Sequence, residues 1–300
     1  MDDAHGTAGA DGPAGAGVRA EALGIKGPRG WAFRGIALDA EPGSLIAIEG
    51  PSGSGRTCLL LALTGRMKPT EGAASVAGFE LPRRMAALRR VSAVANVTGV
   101  TDLEPALTVG EHLRERALLQ RRFGDSLRRL LHPRAQRAHE ARLRVDAALA
   151  AVGLDLETLP KGSRTAVRDL ERPQELRLSL ALALLGRPRL LGVDDVDMKL
   201  SDAERAEVWD LLRSLTRAGT TVVAVCRTAP DDCVSVPTGP KKTGPTDSEP
   251  TDSGPTDSKP RNSEPADSKS RNSAPKESAP KESKPKKEDA GDALTEAGRA

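Results

Sequence analysis

One short stretch limits the folds open to this chain more than any other. Residues 44–57 read SLIAIEGPSGSGRT, an apolar run that leads into three closely spaced glycines, and another apolar stretch follows at once. Such glycines let the backbone bend tightly and point successive N–H groups at phosphate oxygens. A strand, a phosphate-binding loop and a helix in this order predict an α/β domain with the loop at the carboxyl edge of its sheet.

The loop departs from its usual pattern at one position. Arg56 stands where lysine is expected, and arginine keeps the charge while its planar fork is bulkier. Thr57, at the start of the helix, would give its hydroxyl to Mg²⁺. We therefore expect phosphate binding with a less suitable geometry for catalysis. The residues predicted to contact nucleotide here are Gly50, Pro51, Ser52, Gly53, Ser54, Gly55, Arg56, Thr57 and Cys58.

Three more apolar runs, at 91–96, 189–195 and 220–226, are typical of parallel strands that are buried on both faces. Helical patterns separate them, which indicates a βαβ architecture. The second run ends in two acids, so Asp194 would lie at a strand's carboxyl end and hold Mg²⁺. Asp195 follows it as the candidate general base for an attacking water. A simple acidic cap on the strand is the alternative interpretation.

Over roughly residues 18–236 the chain resembles the nucleotide-binding subunit of ATP-binding cassette (ABC) transporters. The resemblance rests on PGSLIAIEGPSGSGRTCLLLALTGRMKPTEGAASVAGFEL, on ALTVGEHL at 106–113 and on LALALLGRPRLLGVDD, in the family's order. It implies a P-loop NTPase of ABC type. The expected parts are a mostly parallel core sheet, an antiparallel β subdomain and a helical subdomain at about 107–185.

The resemblance also implies ATP and Mg²⁺ as ligands. The family's metal-sensing glutamine falls at Asn96, whose amide is one methylene shorter. The aromatic residue that stacks on adenine falls near Gly27 by register, so Trp31 is the nearest substitute. Trp31 is equally well interpreted as a core or edge residue.

Several positions depart from the family's pattern. Its LSGGQ signature aligns with residues 170–174, where Glu171 would repel phosphate rather than donate to it. The catalytic glutamate becomes Asp195, with shorter reach, and the switch histidine becomes Arg227. These departures predict that ATP binding is retained and that hydrolysis is weak or dependent on a partner.

The implied partners are a separate membrane-spanning subunit and a second cassette, in a homodimer or a heterodimer. A regulatory or scaffold protein that binds ATP without hydrolysing it is the main alternative. A P-loop kinase or a GTPase fits less well, because we find neither an acceptor site nor a base-specificity motif.

The two ends of the chain differ from the middle. Residues 1–17 are acidic and rich in Gly and Ala, as in a flexible leader, and lack the features of a signal peptide. Residues 237–300 contain a five-residue repeat with proline and serine, which predicts a disordered tail. The tail is interpreted as a linker or as a phosphorylation or docking segment. Since no apolar run is long enough to cross a bilayer, we expect a cytoplasmic protein, peripheral at the inner face of the membrane.

Residues 114–144 are rich in arginine. A helix face in water is the simplest interpretation, and contact with anionic lipid or with a membrane partner is the second. Nucleic acid is disfavoured as a partner, because aromatic residues make up only 2% of the chain.

Overall fold

The computed structural model describes residues 15–123 and 134–239. Most of the predicted leader, part of the arginine-rich stretch and nearly all of the predicted tail lie outside these ranges. The strands are β1 Val18–Gly27, β2 Gly30–Ala40, β3 Leu45–Glu49, β4 Glu71–Val76, β5 Phe79–Leu81, β6 Ser92–Ala95, β7 Leu190–Val193, β8 Thr221–Val225 and β9 Val234–Pro237. The helices of more than one turn are α1 Arg56–Leu63, α2 Met85–Val91, α3 Val109–Phe123, α4 Arg134–Val152, α5 Arg172–Leu184 and α6 Asp202–Arg217.

Five strands form a parallel sheet in the order β6-β7-β8-β3-β9. Every residue of β6, β7 and β8 is buried, as expected for apolar strands covered by helices on both faces. The four strands predicted from apolar runs are all present. β9 is additional, since its short VSVP segment gave no clear signal.

The other four strands form an antiparallel sheet in the order β2-β1-β4-β5. Its inner face shares a hydrophobic core with α1 and with β3 of the parallel sheet. The predicted mixed α/β architecture is therefore confirmed, including the antiparallel part. Because β2 packs beside the start of α1, this sheet also supports the loop between β3 and α1.

The helices α3, α4 and α5 pack together on the other side of the parallel sheet, in a second core cluster. They occupy the region predicted to be helical. Helix α6 begins after Ser201, whose Oγ accepts a hydrogen bond from the Glu204 amide at 3.3 Å, and it ends just before Gly219. A serine N-cap and a glycine just past the last turn are usual limits of a helix.

The described residues include a few on the far side of each predicted domain limit. Ala16, assigned to the leader, is fully buried, and its amide donates to Thr221 Oγ1 at 2.9 Å. At the other end, Pro237 pairs with Glu49 as the last residue of β9. Within the two described ranges, no helix is both long and apolar enough to span a membrane.

Candidate nucleotide-binding site

The loop between β3 and α1, residues 50–55, has a backbone that only glycine adopts easily. Gly50, Gly53 and Gly55 all have positive φ, and at Gly55 the value is +84°. A side-chain carbon on Gly55 would overlap the carbonyl oxygen of Ala32 in β2. Helix α1 then begins at Arg56 with no side-chain cap and no acidic residue in its first turn. Its first amides therefore face the loop without a carboxylate, as an anion site requires.

Thr57 and Asp194 meet at the carboxyl edge of the parallel sheet. Thr57 Oγ1 donates to Asp194 Oδ2 at 2.8 Å, and the Asp195 amide donates to Asp194 Oδ1 at 3.1 Å. Asp194 is only 4% exposed. Burial raises the pKa of this carboxyl, the nearby Asp195 raises it further, and the Thr57 hydrogen bond opposes the rise. A hydroxyl and a buried carboxylate beside a phosphate loop are oxygen ligands suited to Mg²⁺.

Arg56 reaches across the edge of the sheet. Its Nη1 donates to the carbonyl oxygen of Cys226, directly after β8, at 2.5 Å. The side chain is partly buried, so its position is defined by the surrounding protein. The guanidinium keeps further N–H donors, which would be available to a phosphate bound in the loop.

Asn96 follows β6 in a left-handed conformation with φ +58°. Its side-chain Nδ2 donates to the Asp194 carbonyl oxygen at 2.7 Å, and its backbone amide donates to Ser179 Oγ at 2.8 Å. Its Oδ1, the atom that would face a metal ion, accepts a hydrogen bond from Arg172 Nη2 at 3.0 Å. Asn96 thus joins the strand-end aspartate to helix α5.

Glu171 is the N-cap residue of α5 and forms a capping box with Gln174. The Glu171 amide donates to Gln174 Oε1 at 3.1 Å. The aligned signature segment therefore begins a helix, as the resemblance implies, but its own carboxylate caps that helix. A carboxylate at this end is stabilising for the isolated chain and unfavourable for an approaching phosphate.

Asp195 and Arg227 lie in the loops after β7 and β8. Asp195 has φ +44° and lines a cavity of about 290 Å³ together with Asn96 and Arg172. The Arg227 side chain is exposed, and its backbone amide donates to Asp197 Oδ2 at 2.7 Å. The loop after β7 is thereby tied to the position where the family has its switch histidine.

Trp31 lies in β2 and is 42% exposed. The guanidinium carbon of Arg34 is 4.6 Å from the ring centroid, and Lys26 Nζ is 5.7 Å from it. The next residue, Ala32, contacts Gly55 of the loop. This position is compatible with both interpretations of Trp31, as a surface for an adenine ring and as an edge residue that stacks on arginine.

Sequence reasoning missed the residues that support the loop from β9. Ser54 Oγ and Thr238 Oγ1 are 2.6 Å apart, and Thr238 Oγ1 also donates to the Glu49 carbonyl oxygen at 3.0 Å. The Glu49 carboxylate accepts from Ser235 Oγ at 2.6 Å and from the Ala229 amide at 3.0 Å, and these bonds lower its pKa. No motif marks Ser235 or Thr238, because a long-range strand pairing brings them to the loop.

A glycine loop between a central parallel strand and a helix, facing a strand-end aspartate, defines a P-loop nucleotide-binding protein. The family model described as "ABC transporter" matches residues 33–197. The match includes the loop, Asn96, the signature segment and both aspartates. The chain belongs to the ABC transporter family.

Curated relatives match at moderate identity. Nod factor export ATP-binding protein I of Burkholderia thailandensis is 31% identical over 189 residues, which is 63% of this chain and 55% of that protein. Daunorubicin resistance ATP-binding protein DrrA3 of Streptomyces coeruleorubidus is 33% identical over 193 residues, 64% of this chain and 54% of that protein. The matched region therefore spans about half the length of these relatives.

Solved structures share the fold. The cbiO1 protein of Clostridium perfringens, part of the ABC transporter complex cbiONQ, aligns with a TM-score of 0.57 at 19% identity, covering 73% of this chain and 86% of that one. A dimeric ATP-binding cassette in a post-hydrolysis state, bound to ADP and Pi, aligns with a TM-score of 0.54 at 23% identity, covering 70% and 88%. The described core is thus an ABC-type cassette.

Proposed function

We propose that this chain is an ATP-binding subunit of an ABC transporter and that it holds ATP with Mg²⁺ at the loop of residues 50–58. The observation that carries the proposal is the 2.8 Å contact between Thr57 and Asp194 at the mouth of a glycine loop. The residues fit the ligand, since the loop backbone leaves an uncapped helix start and the adjoining oxygen pair suits a hard divalent cation.

The direct test is MgATP affinity in the wild-type chain and in Arg56→Ala, measured by isothermal titration calorimetry. We expect the variant to bind about tenfold to a hundredfold more weakly, because it loses charge-assisted hydrogen bonds to phosphate. Arg56→Lys keeps the charge and should lie closer to wild type. Equal affinities for wild type and Arg56→Ala would contradict the assignment of the loop.

Hydrolysis is proposed to be slow or to depend on a second cassette. Asp195 would take the proton from the attacking water, but its carboxylate has shorter reach than glutamate. Glu171 places a negative charge at the signature helix, and Arg227 replaces a residue that the family uses in its switch. These three positions act on closure and chemistry, whereas Thr57 and Asp194 act on ground-state binding.

The effect of Asp195→Asn on ATPase rate tests this role. We expect a loss of about a hundredfold or more in the steady-state rate, with MgATP affinity changed by less than about threefold, because a general base contributes mainly to the chemical step. The rate is measured by phosphate release, alone and with the membrane subunit present. An ATPase rate that is detectable and unchanged in Asp195→Asn would exclude this carboxylate as the base.

The proposed partners are a membrane-spanning subunit and a second cassette, with the protein peripheral at the inner membrane face. The relatives are named for Nod factor export and for daunorubicin resistance, which favours export as the direction. The cargo is not assigned. Co-purification from membranes with a multi-span protein would support this assembly, and a chain that stays free of membranes in every preparation would oppose it.

A regulatory or scaffold cassette that binds ATP without turnover is the second candidate. The observation that favours it is the hydrogen bond between Asn96 Oδ1 and Arg172, which occupies the oxygen that the family directs at metal. ATP binding with no phosphate release, either alone or with the membrane partner, would select this candidate over the first.

A further inference from the structure

The beginning of the loop between β3 and α1 lies against the end of β9, the strand at one edge of the parallel sheet. Thr238 directly follows β9, and its amide donates to the Glu49 carbonyl oxygen at 2.9 Å. This bond continues the pairing of β9 with β3 up to the residue that precedes the loop. A side-chain carbon on Gly239 would lie 3.4 Å from Pro51 Cδ. The end of β9 is therefore in contact with the first residues of the loop.

The hydroxyl groups of Thr238 and Ser54 form a chain of hydrogen bonds whose direction is defined. The two oxygens are 2.6 Å apart, which is a hydrogen-bond distance. Thr238 Oγ1 also donates to the Glu49 carbonyl oxygen at 3.0 Å, and a carbonyl oxygen only accepts. Because a hydroxyl has a single hydrogen, Thr238 must accept from Ser54. The hydroxyl hydrogen of Ser54 is thus used by β9 and is not available to a phosphate oxygen.

Ser54 is bonded to the protein through its backbone as well. Its amide donates to the Pro51 carbonyl oxygen at 3.2 Å and closes a turn within the loop. Gly50 leaves room for the contact with β9, since a side-chain carbon there would lie 2.6 Å from Thr238 Oγ1. The residues on both sides of Ser54 are glycines with positive φ, which leave the loop free to adopt other conformations. A contact from outside the loop is therefore needed to select one of them.

We propose that Thr238 is a positioning residue for the nucleotide-binding loop, and that it acts through Ser54 rather than by contact with the nucleotide. The inference rests on the proposed ATP site and adds to it a residue that follows β9. Loop amides bind phosphate only while they point at a common centre, so affinity falls with the fraction of time spent in other conformations. The bond between the two hydroxyls holds the loop in the binding conformation before the nucleotide arrives.

The test measures the dissociation constants of MgATP and MgADP by isothermal titration calorimetry, at a temperature where thermal melts show every variant to be folded. We expect Thr238→Val to weaken both nucleotides about fivefold to tenfold, because the loop cradles phosphates that ATP and ADP share. Ser54→Ala removes the same bond from the loop side and should show a similar loss. Thr238→Ser keeps the hydroxyl and should lie within about twofold of wild type. A purely structural role would lower the melting temperature of Thr238→Val and leave both constants of the folded chain unchanged.

The double variant Ser54→Ala/Thr238→Val tests whether the two hydroxyls act as one unit. Since either substitution breaks the same bond, the double variant should bind less than about twofold more weakly than the weaker single variant. Thr216→Val is the matched control. Thr216 is also partly buried and donates its hydroxyl at 2.9 Å, but to the Arg213 carbonyl oxygen within α6. The control should leave both dissociation constants unchanged.

The outcomes separate this inference from the proposed function. Wild-type affinities in Thr238→Val, or a loss for ATP without one for ADP, would overturn the role of Thr238 and leave the loop assignment intact. Additive losses in the double variant would overturn the route through Ser54. Failure of the wild-type chain to bind either nucleotide would instead overturn the proposed function.

Discussion

Replacing Gly55 with alanine is expected to lower the free energy of unfolding by about 3 kcal/mol or more and to abolish nucleotide binding. Gly55 has φ +84°, and its side-chain carbon would overlap the backbone carbonyl of Ala32. Backbone in a paired strand cannot yield as a flexible side chain can, so β2 must move away from α1. Urea unfolding measures the loss, and titration with MgATP measures binding.

Gly53→Ala is the matched control for this prediction. Gly53 lies in the same loop with φ +81°, but a carbon added there meets nothing within 4 Å. The control therefore carries the same backbone strain without the overlap, at a cost of about 1 kcal/mol. If the two variants lose the same free energy of unfolding, backbone strain alone explains the effect of Gly55→Ala. The overlap with Ala32 then adds nothing to it.

The central strands and the loop were open to prediction because each signal is local. The runs that form β3, β6, β7 and β8 are apolar without alternation, which is expected only where helices cover both faces of a sheet. β9 was not predicted. It has four residues, half of them exposed, and its pairing with β3 depends on a contact that the local sequence does not encode.

Part of the site was predictable in the same way. Thr57 lies in the first turn of α1, and Asp194 directly follows β7. Both are at the same edge of the sheet, so sequence and topology together place them close to each other. The bond between Arg172 and Asn96 joins residues 76 positions apart, and the sequence marks position 172 only as part of the aligned signature segment. A substitution was visible, but the direction in which its long side chain points was not.

The contacts of Glu171 were likewise not visible in the sequence. From sequence it is only a charge that repels phosphate, whereas the structure gives it a second role as the cap of α5. A residue that stabilises the free chain and disfavours an incoming phosphate would oppose the proposed pairing of two cassettes. Glu171 and Arg172 thus both make contacts within their own chain, at positions of the aligned signature segment.

Replacing Asp194 with asparagine is expected to remove the dependence of ATP affinity on Mg²⁺, because the ion loses its anionic protein ligand at this site. Isothermal titration calorimetry with excess Mg²⁺ and with EDTA measures how far ATP affinity depends on the ion. We expect magnesium to strengthen ATP binding by at least about tenfold in wild type and by less than about twofold in Asp194→Asn. Magnesium that strengthens binding equally in both proteins would show that Asp194 does not hold the ion.

The same substitution should leave the nucleotide-free fold as stable as wild type or more stable at neutral pH. Burial raises the pKa of Asp194, so the native state holds this proton more tightly than the unfolded chain does. The stability that this group contributes is therefore present at low pH, and it is lost as the pH rises from the ordinary aspartate pKa through the raised pKa.

Asparagine has no such loss, and its amide can donate to Thr57 Oγ1 while its oxygen accepts from the Asp195 amide. The stability advantage of the variant should thus grow with pH across this window, and a variant that melts earlier than wild type at pH 7 would contradict the argument. A buried carboxylate that lowers the stability of the fold while no ion is bound is expected of a residue that binds a ligand. It is not expected of a residue that only caps a strand.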